Sequence, residues 1–107
     1  MLKNNCLLDM SKDGEELTVR ITGEIDHHSA VKIRSEIDSE INAMRPKRTM
    51  LVLSDIDFMD SSGLGLIMGR YTRMQAIGGE LVISGASERV VKILKLAGLE
   101  KIVKIEN

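Results

Sequence analysis

The sequence predicts an α/β fold in which a mixed, mainly parallel sheet of four to five strands carries an antiparallel N-terminal hairpin and three main helices. Short apolar runs suited to strands alternate with longer segments whose apolar residues recur every three or four positions. Asp13-Gly14, between the first two runs, is a hairpin signal. The later strands are separated by helices, so they require right-handed parallel crossovers.

The N-terminal half is predicted to form the hairpin and the first helix. Leu7, Leu8 and Met10 indicate the first strand, and residues 17–22 alternate apolar and polar side chains as a second strand. Helical spacing then marks one apolar face, formed by Ala30, Ile33, Ile37, Ile41 and Met44. Because the residue before a proline disfavours helix, this helix is expected to end before Pro46.

The central segment is predicted to be a strand followed by the second helix. Residues 50–53 are continuously apolar, which is typical of a strand buried on both faces. The helix is expected over about residues 62–77, with Arg70, Arg73 and Gln75 off its apolar face. That apolar face comprises Leu64, Ile67, Met68, Tyr71 and Met74. Met68 and Met74 are therefore expected in the core.

The C-terminal segment is predicted to add a strand, a helix and a short last strand. Residues 81–83 indicate the strand, and Ser87 is a suitable N-cap for a helix that runs to Ala97. Gly98 is expected to end this helix, and residues 101–105 to form the last strand.

Length and composition indicate one domain, residues 1–107, with an aliphatic core, because 107 residues leave no room for a second core. A net charge of −1 provides no basic surface for nucleic acid. The single cysteine, Cys6, excludes an internal disulfide. No run approaches the length of a membrane span, and residues 3–5 are polar where a signal peptide would be apolar. A cytoplasmic protein that does not bind membranes is expected.

Two loops are expected to meet at one edge of the sheet and form the candidate site. The carboxyl ends of parallel strands lie at the same edge, and residues 26–28 and 60–62 each follow such an end. Residues 84–85 are expected to contribute a third loop there. The candidate site residues are Asp26, His27, Asp60, Ser61, Ser62 and Gly63.

The paired serines stand at the start of the second helix. Either Asp60 or Ser61 is suited to cap it, and a purely structural capping role is the ordinary interpretation of such residues. Capping uses one side chain, so a serine hydroxyl group remains available at a helix terminus that favours phosphate. Asp26 is likewise expected to cap the first helix, and its exposure would allow a partner contact.

Enzyme and metal sites are weakly supported. Gly63, Gly65 and Gly69 resemble a dinucleotide loop only superficially, because Glu80 begins a strand instead of ending one. There is no phosphate-binding loop and no G-x-S-x-G motif. His27 and His28 point in different directions and lack further ligands, so no metal is expected. The glycines at 63 and 65 instead suggest close approach by another chain. A nucleophilic Ser61 assisted by His27 remains the enzyme alternative.

Two separated segments carry a family resemblance. Residues 60–65 read Asp-Ser-Ser-Gly-Leu-Gly after an apolar strand, and residues 23–28 read Gly-Glu-Ile-Asp-His-His. Together they resemble the STAS domain of anti-anti-sigma factors, and the resemblance extends over nearly the whole chain. The doubled histidine, with residues 69–71 and 77–80, is more similar to the sporulation anti-sigma factor antagonists than to their stress-response relatives.

The resemblance implies a regulatory protein without catalytic residues, cofactor or metal, monomeric when free. It implies that Ser61 is phosphorylated by the anti-sigma factor, a serine kinase, and dephosphorylated by a PP2C-type phosphatase. The unphosphorylated form would bind the nucleotide-loaded anti-sigma factor and release the sporulation sigma factor. Expected partner contacts are Asp26, His27, Asp60, Ser62, Gly63, Leu64 and Gly65. A STAS-type module that binds a nucleotide or another small ligand is the alternative.

Overall fold

The computed structural model describes residues 6–106, apart from the side chain of Cys6. Its elements alternate as the sequence predicts after an N-terminal hairpin. The strands are β1 (Cys6–Asp13), β2 (Glu16–Gly23), β3 (Arg48–Asp55), β4 (Glu80–Ser84) and β5 (Lys104–Glu106). The helices are α1 (His27–Met44), α2 (Ser61–Ala76) and α3 (Glu88–Leu96), followed by a short 3₁₀ helix (Leu99–Lys101).

The sheet has the strand order β1-β2-β3-β4-β5, antiparallel only between β1 and β2. Right-handed crossovers that always advance in one direction place all three helices on the same face of the sheet. The register aligns Val19, Leu51 and Ile83, which point into the core beneath the helices. Ile37 and Ile41 of α1 cover these strands from above. The predicted mixed sheet with an N-terminal hairpin and three helices is confirmed.

The opposite face of the sheet carries ion pairs beside apolar side chains, and it corrects one expectation. Arg48 contacts Glu16 at 3.1 Å and Glu106 at 2.9 Å across this face. Met50 and Val52 of β3 lie there half-buried, so β3 is buried on one face only. The prediction that residues 50–53 are buried on both faces is therefore wrong, because the strand order brings helices to one side alone.

The orientation of α2 corrects two further expectations. Met74 is fully buried as predicted, but Met68 is 44% exposed and lies outside the core. Arg70, expected off the apolar face, is only 3% exposed. The reason is that α2 packs against α1 as well as against the sheet, and Arg70 reaches Asp38 of α1 with Nε at 2.9 Å from Oδ1.

The C-terminal segment differs from the expected strand over residues 101–105. The chain forms the 3₁₀ helix first, buries Leu99 and Val103, and starts β5 only at Lys104. No helix within residues 6–106 is long and apolar enough to cross a membrane. The expectations for residues 3–5 and for the thiol group of Cys6 lie outside the described residues.

Candidate functional site

The site lies at the edge where β2 and β3 end. The register between β2 and β3 shifts between Arg20 and Thr22, as at a β-bulge. Arg20 pairs with Val52, whereas Thr22 pairs with Asp55. The Asp55 carboxylate accepts hydrogen bonds from Arg20 Nη1 at 3.4 Å and from Thr22 Oγ1 at 3.5 Å. The third expected loop, at Gly85, packs against Ser54 but lines neither of the two clefts that flank the serine pair.

Asp26 caps α1, as the sequence predicts. Its Oδ1 accepts a hydrogen bond from the Ser29 N–H at 2.8 Å, and the Ser29 hydroxyl oxygen accepts one from the Asp26 N–H at 3.0 Å. This reciprocal pair is a capping box, which fixes the entry into the helix. The backbone N–H of Ser29, and secondarily its hydroxyl group, lower the pKa of the Asp26 carboxyl group below its ordinary value. Asp26 is therefore an exposed, ionised carboxylate at neutral pH.

Asp60 caps α2, which resolves the alternative between Asp60 and Ser61. The Asp60 Oδ1 accepts a hydrogen bond from the Ser62 N–H at 2.8 Å. Ser61 is the first residue of the helix, is exposed, and its hydroxyl group forms no hydrogen bond with any described residue. The cap thus leaves Ser61 accessible and chemically uncommitted.

A cleft rich in carboxylates, here called the acidic cleft, reaches Asp60, the residue before the serine pair. It has a volume of about 370 Å³ and is lined by Gly23, Glu24, Ile25, Asp26, Asp55, Asp57, Phe58 and Asp60. Among its carboxylates, Asp55 forms an ion pair with Arg20 at 3.4 Å. Phe58 is 59% exposed at this cleft, which is unusual for so large an apolar side chain. Negative charge and an exposed aromatic ring together suit a basic protein partner.

The two serines themselves line a second cleft, between α1 and α2, here called the helical cleft. Its volume is about 190 Å³, and its lining comprises His27, Ala30, Val31, Arg34, Ser61, Ser62, Gly65 and Leu66. The structure therefore brings His27 to the two serines, whereas His28 is not part of this lining. No group of three or more His, Cys, Asp or Glu side chains within residues 6–106 is arranged to hold a metal ion.

The glycines of α2 differ in their surroundings. Gly63 is buried, and a Cβ atom there would lie 2.7 Å from Met59 Cβ, so its missing side chain serves packing within the chain. Gly65 is exposed on the helical cleft with open space above it, and close approach by another chain there stays a prediction. Leu64 is half-buried against the core.

Sequence reasoning missed five charged or aromatic residues that flank the predicted site. Glu24, Asp55, Asp57 and Phe58 join the acidic cleft, and Arg34 joins the helical cleft. The sequence did contain a signal for the acidic residues, because two carboxylates separated by one residue occur at the end of each strand. These pairs are Glu24 with Asp26 and Asp55 with Asp57. Arg34 carried no comparable signal, because its proximity to Ser61 depends on how α1 packs against α2.

Comparison with known proteins places this arrangement in a family. The STAS domain family matches residues 8–107. The chain is 37% identical over 101 residues to the anti-sigma F factor antagonist of Paenibacillus polymyxa, covering 94% of this chain and 86% of that protein. It is 31% identical over 101 residues to the anti-sigma-B factor antagonist of Bacillus subtilis (strain 168), covering 94% and 91%.

Solved structures agree with the sequence comparison. The unphosphorylated form of the anti-sigma factor antagonist SpoIIAA superposes with a TM-score of 0.82 at 26% identity, covering 94% of this chain and 89% of that one. The phosphorylated form of SpoIIAA, described as a Bacillus cell fate determinant, gives a TM-score of 0.74 at 26% identity, covering 94% and 92%. The strand order, the matched region and these relatives agree, and the chain belongs to the STAS domain family.

Proposed function

We propose that this chain is an anti-sigma factor antagonist controlled by phosphorylation of Ser61. In its unphosphorylated form it binds the nucleotide-loaded anti-sigma factor, a serine kinase, and thereby releases the sporulation sigma factor. The kinase inactivates it by phosphorylating Ser61, and a PP2C-type phosphatase restores it. The chain acts as substrate and ligand and contributes no catalytic residue.

The observation that carries the proposal is the uncommitted hydroxyl group of Ser61. Asp60 performs the capping, so phosphorylation of Ser61 breaks no hydrogen bond among the described residues. The first turn of a helix also tolerates negative charge. A kinase can therefore modify Ser61 without unfolding α2, which is what a reversible switch requires. The relatives named as anti-sigma factor antagonists, and the SpoIIAA structures in both phosphorylation states, support this assignment.

The acidic cleft supports a mechanism for loss of binding. Ser61 lies directly after Asp60, which lines that cleft with Asp26 and Asp57. A phosphoryl group adds roughly −1.5 to −2 charge near neutral pH. In a close interface this charge must be desolvated, a cost in free energy that the unmodified chain does not carry. Phosphorylation then prevents binding while the fold is retained.

The proposed contact surface includes exposed residues on both sides of Ser61. Asp26, Asp60 and Phe58 belong to the acidic cleft, and His27 and Gly65 to the helical cleft. The contacts assigned from the resemblance to Ser62, Gly63 and Leu64 stay predictions, with buried Gly63 acting through the backbone fold. A cytoplasmic, monomeric protein formed by a single domain over residues 1–107 completes the proposal.

Site mapping after incubation with the anti-sigma factor and ATP tests the phosphorylation. We expect one phosphate on Ser61, none on Ser61→Ala, and normal uptake by Ser62→Ala. If Ser61→Ala accepted phosphate at Ser62 at the normal rate, the assignment would be wrong. Covalent labelling of unmodified Ser61 by a serine-directed probe would instead support the hydrolase alternative, and a nucleotide retained on purification would support the ligand-binding module.

Titration of the partner with Asp26→Asn tests the acidic cleft. Asparagine caps a helix about as well as aspartate, so the substitution removes the charge and keeps the cap. If Asp26 pairs with a basic side chain, affinity should fall about tenfold, while the melting temperature falls only by the small contribution of the ionised cap. Unchanged affinity would restrict Asp26 to its structural role.

A further inference from the structure

Arg34 is a cation without a counter-ion on the wall of the helical cleft. Its side chain lines that cleft opposite Ser61 and Ser62, and its guanidinium group forms no ion pair or hydrogen bond with the described residues. Asp38, one helical turn further along α1, is the nearest carboxylate by helical spacing. That carboxylate is already engaged by two other arginines.

The positive charges of the arginines near Asp38 exceed the single negative charge of its carboxylate. Arg70 Nη2 donates a hydrogen bond to Asp38 Oδ2 at 3.2 Å, and Arg73 Nε lies 3.5 Å from Oδ1. Arg70 Nη1 is buried without a partner among the described residues. Burial lowers the pKa of Arg70, Asp38 opposes this effect, and the positive charges of Arg34 and Arg73 add to it. Arg34 therefore lies in a locally positive field that an added anion would neutralise.

A phosphoryl group on Ser61 would lie at the helical cleft, whose lining Ser61 shares with Arg34 and His27. The acidic cleft reaches the neighbouring Asp60, but Ser61 does not line it. The N–H of Ser62, an obvious donor at the helix terminus, is already taken by the Asp60 cap. The Asp60 cap thus removes one backbone donor from this helix terminus, and Arg34 of α1 offers a further donor. A guanidinium group suits phosphate oxygens because it can donate two parallel hydrogen bonds.

We propose that Arg34 is the intramolecular partner of phosphoserine 61 and that it holds the phosphoryl group in the helical cleft, with His27 as a second donor. This rests on the proposed function, since it takes Ser61 as the modified residue. The contact between Arg34 and the phosphoryl group joins α1 to α2 across the helical cleft. The chain's own phosphate then occupies this cleft. Phosphorylation would in this way occupy the helical cleft, which is one half of the proposed contact surface.

The test measures the second ionisation of the phosphate by ³¹P NMR titration. Phosphoserine is placed at position 61 by genetic encoding, so that no kinase is required. A nearby cation favours the dianion and lowers its pKa, whereas Asp26, Asp57 and Asp60 raise it equally in every variant. Arg34→Gln should therefore raise the phosphate pKa by about 0.2–0.7 of a pH unit, the range expected for an exposed ion pair.

The matched control is Lys32→Gln, which removes one positive charge from an exposed position of α1 outside the helical cleft. It should leave the phosphate pKa unchanged, and Arg34→Lys should shift it less than Arg34→Gln. The inference is overturned if Arg34→Gln has no effect, or if Lys32→Gln shifts the pKa equally. Because Arg34 is exposed, these variants should fold, and amide spectra verify that. The result is separate from kinase mapping: failure to phosphorylate Ser61 refutes the proposed function, whereas an unshifted pKa refutes only the role of Arg34.

Discussion

Single residues at the site divide into those that shape the helix ends and those left free for recognition. Asp26 and Asp60 satisfy backbone N–H groups at the starts of α1 and α2. Ser61 and Phe58 do not cap either helix, and both are exposed. This division means that recognition can be altered by substitution at the free residues without loss of the fold.

Phe58 is expected to anchor the partner. Exposed aromatic side chains at the centre of an interface are frequent hot spots, so Phe58→Ala should weaken binding of the anti-sigma factor about 30-fold. The free energy of unfolding should change by less than about 0.5 kcal/mol, because the ring is 59% exposed. Binding titrations and urea unfolding measure the two effects. Leu96→Ala is the matched control, since Leu96 is 82% exposed on α3 and lines neither cleft. Equal affinities for both variants would remove Phe58 from the interface.

At the scale of elements, the contact between α1 and α2 sets the geometry of the helical cleft. A buried ion pair between Arg70 and Asp38 lies within this contact, with side chains 4% and 18% exposed. Removing one member of such a pair is costly because the other charge stays buried without its partner. The cleft that holds Ser61 therefore depends on a contact well away from it in sequence.

Asp38→Ala should lower the free energy of unfolding by about 1–3 kcal/mol, because Arg70 then lacks its carboxylate. Arg73→Gln, which removes a more exposed arginine from the same carboxylate, should cost less. Urea unfolding of both variants provides the comparison. Equal losses would show that burial of Arg70 does not govern the helix contact.

The capping box of α1 should make stability depend on acidity. Because the pKa of Asp26 in the folded state lies below its unfolded value of 3.8, the ionised group stabilises the fold above that pH. This contribution is lost as the pH falls through the folded pKa. The wild-type chain should therefore exceed Asp26→Asn in stability at pH 7, and the difference should vanish in acid. Urea unfolding across this range tests the sign, and a difference that persisted in acid would contradict it.

At the scale of the whole molecule, patterns local in sequence predicted much of the fold. Apolar spacing located α1 through Ile33, Ile37 and Ile41, and parallel topology predicted that His27 would lie near Ser61. Contacts between elements were not predictable in the same way. The spacing within α2 alone predicts that Arg70 is a surface residue. It is buried because α2 packs against α1.

The remaining errors have the same origin. Met68 has the spacing of a core residue, yet the face of α2 that it occupies is not covered. The acidic cleft arises from two loops that meet only in the folded sheet, so the acidic spacing around Glu24 and Asp57 did not by itself predict a shared cleft. Periodicity specifies which residues share a face, whereas the neighbours of that face depend on the tertiary arrangement.

The central claim is that a phosphoryl group on Ser61 controls partner binding. The most direct measurement is a titration of the nucleotide-loaded anti-sigma factor with two forms of this chain, unmodified and carrying encoded phosphoserine at position 61. A phosphoryl group must lose its water to enter a close interface, so the modified form should bind at least about 100-fold more weakly while its amide spectrum stays that of the same fold. Equal affinity of the two forms would contradict the account.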